Sequence, residues 1–125
     1  MSTTILTAVR TWLDADGLLD DYAVRFNRWT DEIEGGSGEF VLLRMSSGSG
    51  ENDALVISPD VRLIMVASPE KVIEAQDRIW QIADYMRQPG APEGVIKFAV
   101  LANPMGPMYL ENGRGVFELN VRVFV

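Results

Sequence analysis

Asp14, Asp16, Asp20 and Asp21 crowd around Gly17, and clustered carboxylates are the usual ligands of calcium. A helix-flanked calcium loop needs glycine at its sixth position and a bidentate glutamate at its twelfth. Counted from Asp14, those positions hold Leu19 and Arg25, so a solvated helix end explains the cluster better. Gly35-Gly36-Ser37-Gly38 and Gly48-Ser49-Gly50 have the composition of phosphate loops, but a phosphate loop must open a helix so that free N–H groups and the helix dipole face the anion. Both clusters lead into stretches of strand character and read as hairpin loops. Lys97, between Ile96 and Phe98, would act as a base only if burial depressed its pKa; a snorkelling or ion-paired lysine on a sheet face is the simpler reading. The chain has no histidine to activate a serine and no cysteine to supply a thiolate or a disulfide. No catalytic residue, metal ligand or cofactor is assigned from the sequence, and an enzyme is not expected.

Side chains without a chemical task must be read through the elements that carry them. Ser2, Thr3 and Thr4 are cap-type residues ahead of a helical pattern in which Ile5, Val9, Trp12 and Leu13 share a face, and Gly17 is its stop. Tyr22 to Trp29 alternates as a strand, "TDEIEGGSG" reads as a polar loop, and Glu39 to Met45 reads as a second strand. "SSGSGEND" (Ser46 to Asp53) then forms a mobile hairpin tip with "ALVI" as its return. After Ser58-Pro59-Asp60, Val61 to Ala67 is apolar enough for a central strand. Ser68 as cap, Pro69 at the first position and Glu70 at the positive end predict a helix that runs to Arg87 and stops at "QPGAP". Val72, Ala75, Ile79, Ala83 and Met86 make its stripe, and Ile73, Trp80 and Ile82 widen it beyond what one sheet would cover. Gly94 to Ala102 is a strand, "NPMGPMYLENGR" a long connection, and the closing stretch the final strand. This order predicts an α+β fold: a mixed, largely antiparallel sheet with two helices packed on one face, residues 1–125 forming a single domain.

The final strand, "GVFELNVRVFV", divides by alternation. Phe117, Leu119, Val121 and Val123 are expected to face the core. Glu118, Asn120, Arg122 and Phe124 lie on the opposite face, where they are expected to meet a neighbouring subunit or a loop of the same chain, unless Glu118 and Arg122 simply form cross-strand pairs within the subunit. Trp12 and Trp80 sit at helical spacing with aliphatics and read first as core. Trp29, beside a polar loop, reads as an interface anchor.

Composition narrows the class. With 125 residues, 47% of them apolar and 23% charged, the chain is long enough for a real core. A net charge of −7 argues against general binding to nucleic-acid backbones. Lysine occurs only at Lys71 and Lys97, the remaining cations being arginines, the residue suited to fixed contacts in interfaces, although biased codon usage explains the skew equally well. No run approaches the ~18 apolar residues of a membrane span, and "MSTTILTAVR" lacks the basic start of a signal peptide, so no membrane is expected and the chain reads as cytosolic.

The order of elements, together with "VRLIMVASPEKVIEAQDRIWQIADYMRQP" and the closing "NPMGPMYLENGRGVFELNVRVFV", resembles the tail terminator proteins of long-tailed bacteriophages, a group that includes the minor tail protein U family. The likeness spans nearly the whole chain, and Glu111 to Phe124 is its most characteristic piece. It implies a structural role in the virion tail after assembly in the host cytoplasm. Such proteins form a ring, a hexamer, that caps the tail tube, stops its polymerisation and provides the head-joining surface. The partners implied are other copies of the chain, the major tail tube protein and a head-completion or connector protein, with DNA passing through the channel without specific binding. On this reading Trp29, Ile73, Trp80, Glu118, Asn120, Arg122 and Phe124 are subunit-interface candidates, and Glu32, Glu34, Glu51 and Asp53 sit on loops facing the tube or channel. Another head–tail connector or tube-like part, or a small cytosolic ligand-binding domain, would share much of this sequence pattern.

Overall fold

A computed structural model describes residues 2–46 and 59–125. Helix α1, Ser2–Ala15, buries Leu6, Val9 and Leu13 and half-buries Trp12. It ends where the glycine predicted. Gly17 takes a φ of 73°, its N–H donates to the Asp14 carbonyl at 3.0 Å, and the Leu18 N–H reaches back to the Leu13 carbonyl at 3.1 Å. This paired closure satisfies carbonyls that the helix would otherwise leave open, and a residue without Cβ adopts it at no steric cost. The turn that follows is tied down by Arg78, whose guanidinium donates to the carbonyls of Leu18 and Asp20, each at 3.0 Å, and lies over the Tyr22 ring.

Strand β1 (Ala23–Phe26) pairs in parallel with β2 (Phe40–Ser46), and β2 pairs antiparallel with β3 (Asp60–Ala67) from Phe40↔Val66 to Ser46↔Asp60. The antiparallel partner of β2 is therefore β3. Ser46, read as the start of the hairpin tip, ends β2, while the rest of that tip and the "ALVI" return lie outside the described residues.

β3 pairs in turn with β6 (Gly115–Phe124), whose other side is shared by β4 (Lys97–Val100) and β5 (Met105–Tyr109). Among the described residues this makes a six-stranded mixed sheet in the order β1-β2-β3-β6-β4, with β5 also on β6. The "long connection" thus contains a strand. Pro104 just before it and Gly106-Pro107 within it hid it, and an outer strand tolerates a proline because its free side needs no donors. Gly106 is required there, since a Cβ at its φ of 121° would lie 2.6 Å from the Val116 carbonyl oxygen.

Ser68 and Pro69 begin a 3-10 turn, Pro69–Lys71, that runs into helix α3, Val72–Arg87. Ser68 stands at the cap position, but its hydroxyl donates to the Glu39 carboxylate at 2.7 Å instead of capping the turn. α1 and α3 cover one face of the sheet, where Leu6, Val9 and Leu13 meet Val41, Leu43, Leu63 and Met65, and Ile79, Ile82 and Met86 join Phe117, Leu119, Val121 and Val123. Trp12 closes the gap between the helices, its ring 4.5 Å from Tyr85 and 5.0 Å from Phe98.

The second face is not bare. The stretch read as a polar loop folds into a short helix, α2 (Asp31–Gly35), with Thr30 as cap: its hydroxyl accepts from the Ile33 N–H. Ile33 is buried against Phe40, Leu42, Ile64 and Val66 in a small second core. The signal was present in the threonine cap followed by Asp31, Glu32 and Glu34 at the positive end of the dipole. With one apolar residue and two glycines behind it, periodicity could not register a helix this short.

Candidate functional site

The second sheet face falls into two halves because the strand registers align its rows. Phe40, Val66 and Val116 share one row, and Leu42, Ile64 and Glu118 the next. Beyond these rows the side chains turn polar: Arg44, Arg62 and Asn120 lie side by side, followed by Asp60, Arg122 and Ala99, then Phe124 and Lys97. α2 covers the apolar half and, among the described residues, nothing covers the polar half.

Within the open half, the residues of β6 find partners on β3. Arg122 donates from Nε to Asp60 Oδ1 at 2.8 Å and from its terminal nitrogen to Oδ2 at 3.3 Å, and this paired carboxylate holds the guanidinium above its ordinary pKa. Arg62 Nε lies 3.3 Å from both Glu118 Oε2 and Asn120 Oδ1, and the Asn120 amide donates to Glu118 at 3.1 Å. Cross-strand pairing inside the chain accounts for the polar trio of β6. Phe124 lies beneath Lys97, whose ammonium is 5.1 Å from the ring centroid, and Lys97 makes no ion pair among the described residues. The snorkelling reading of Lys97 fits. Arg122→Glu would place a carboxylate against Asp60. The variant is expected to keep its circular-dichroism spectrum and to melt at a lower temperature than the parent, more so at low salt.

The remaining candidates separate. Trp29 is half-buried on the second core, and its indole N–H donates to Glu34 at 2.9 Å. Glu32 pairs with Arg25 at 3.2 Å. Glu51 and Asp53 lie outside the described residues. On α3, Ile82 is buried, whereas Ile73 is 76% exposed and Trp80 is 38% exposed. The core reading of Trp80 is therefore corrected: it stands on the outer side of the helix, because Ile79, Ala83 and Met86 already fill the contact with the sheet.

One buried residue escaped the sequence reading altogether. Arg114 is 1% exposed, and its guanidinium donates to the carbonyls of Gly36 and Gly38, the latter at 2.6 Å, while stacking over Phe40. Asn112 assists by donating to the Glu34 carbonyl at 2.9 Å. Together they fasten α2 and its exit loop to the start of β6. An arginine among turn residues carries no sequence signal of burial, since the carbonyls it needs are contributed from 76 and 78 positions away.

The grooves are open to solvent. One of about 460 Å³ is lined by Asp21, Tyr22, Glu39, Lys71, Glu74 and Arg78. Tyr22, whose pKa burial raises, and Arg78 are engaged in holding the α1–β1 turn. Among the described residues no group of histidine, cysteine or acidic side chains could hold a metal ion, and no helix is long and apolar enough to cross a membrane. What the fold presents is an α+β sheet with α1 and α3 on one face and α2 on part of the other, carrying arginines on the remaining half of that face and exposed Ile73 and Trp80 on α3. The family model of phage tail termination proteins matches residues 2–125, and the chain belongs to that family. No curated protein matches it. Membership makes it a structural, non-enzymatic protein of the phage tail, in contact with components of the tail tube.

Proposed function

We propose that this single-domain protein terminates the tail as a homo-oligomeric ring of six copies, seated on the last layer of the major tail tube protein. Its opposite surface receives the head-completion protein. It assembles in the host cytoplasm, and DNA passes through its channel without being specifically bound, in keeping with a net charge of −7. The observation that carries the ring is the outward side of α3, where Ile73 and Trp80 stand exposed on a well-packed helix. Large exposed side chains of this kind, tryptophan above all, anchor interfaces. Native mass spectrometry and particle imaging of the protein, alone and added to tail tubes, test the proposal. Six-copy rings at tube ends and tubes of fixed length are expected. Monomers on their own and at tube ends, with tubes still growing, would overturn it.

A further inference from the structure

Arg44 and Arg62 are directly opposed across β2 and β3, on the open half of the second sheet face. Like charges in this position repel, and antiparallel sheets rarely place them there without compensation. Arg62 is partly neutralised by leaning away toward Glu118 on β6. Arg44, half-buried, makes no ion pair among the described residues, and nor does Lys97 at the far end of the same face. An acidic protein therefore holds unneutralised cations on one open surface, next to Phe124 and the exposed Leu101.

The opposite side of the molecule has the complementary pattern. Ile73, Asp77, Trp80 and Asp84 follow one another at i, i+4, i+7 and i+11 and so run along one stripe of α3. All are exposed. Asp84 has only a loose pair with Arg87 at 3.6 Å, and Asp77 makes no ion pair among the described residues. Carboxylates alternate here with apolar anchors, whereas the sheet face carries Arg44 and Lys97 together with Phe124 and Leu101.

We infer that the outer stripe of α3 in one copy docks on the open, arginine-bearing half of the sheet face in the next, with Asp77 and its neighbour Asp84 meeting Arg44. The occupant is a second copy because this chain itself supplies the matching charge and the matching apolar anchors. The two patches lie on opposite layers of one protomer, so the contact is head-to-tail, which closes into a ring when the rotation between successive copies closes and otherwise runs on as a filament. The two unpaired cations are too few for a phosphate backbone, whose tight binding takes many such contacts. The inference rests on the ring proposed above and assigns the surfaces that build it.

The test is a charge swap read by sedimentation velocity and native mass spectrometry. Arg44→Glu relieves the opposition with Arg62, so the monomer should melt no lower than the parent, yet association should weaken on the order of tenfold. Asp77→Arg should weaken it comparably, and the double variant Arg44→Glu/Asp77→Arg should restore it. Arg10→Glu and Glu93→Arg, exposed elsewhere, make the same changes in net charge and should leave assembly unaltered. Should Arg44→Glu fail to fold, the neutral Arg44→Thr carries the same expectation of weakened assembly. Rings that form in the parent and persist in both single variants overturn the assignment while leaving the ring intact. Absence of rings in the parent overturns both. A 20-base-pair duplex whose binding is lost in Arg44→Glu, with assembly unchanged, would assign the face to nucleic acid instead.

Discussion

Val121→Asp is expected to abolish the fold. Val121 is 1% exposed and stands in β6 between Val61 on β3 and Val100 on β4, within the main core. β6 is the hub of the sheet, paired with β3 along one side and with β4 and β5 along the other, so no edge is free to shift the side chain into water. An unpaired carboxylate there must either remain charged in an apolar medium or take up a proton and stay buried as a polar group without hydrogen-bond partners. Either course costs several kcal/mol, a large part of the ~5–15 kcal/mol that holds a domain of this size together. Loss of the β-sheet dichroism and of a cooperative melt at 25 °C is the outcome anticipated. A cooperative melt within a few degrees of the parent would mean that β6 is not buried as described.

Arg114→Met is expected to give the second-largest loss, with a different signature. Methionine keeps much of the aliphatic volume but leaves the carbonyls of Gly36 and Gly38 without their buried donors. Hydrogen bonds from a charged donor are worth roughly 1.5–3 kcal/mol each, and these two are part-buried. The damage should be local: residues 31–38 and the start of β6 should lose hydrogen-exchange protection well before α1, α3 and the centre of β6 do. Uniform loss of protection across the chain would show that the clamp is part of the global core.

Much of this architecture was legible in the residues. The period-two pattern of β6 placed Phe117, Leu119, Val121 and Val123 in the core, Gly17 marked the end of α1, and Ser68-Pro69 marked the start of the turn into α3, each because a local rule acts within a few residues of its signal. The family resemblance carried by the closing stretch likewise agreed with the family model.

Tertiary structure decided what depends on contacts distant in the chain. The short helix α2 exists because Ile33 finds Phe40 and Val66, and Pro107 of β5 is tolerated because that strand lies outside β6. The partners of Glu118, Asn120 and Arg122 could only be assigned once β3 was set beside β6: alternation fixes which face a side chain points to, but register fixes what it meets. Trp80 shows the same division on a helix. Its spacing announced an apolar arc wider than one sheet requires, and only the packing of Ile79, Ala83 and Met86 decided which part of that arc was left facing outward.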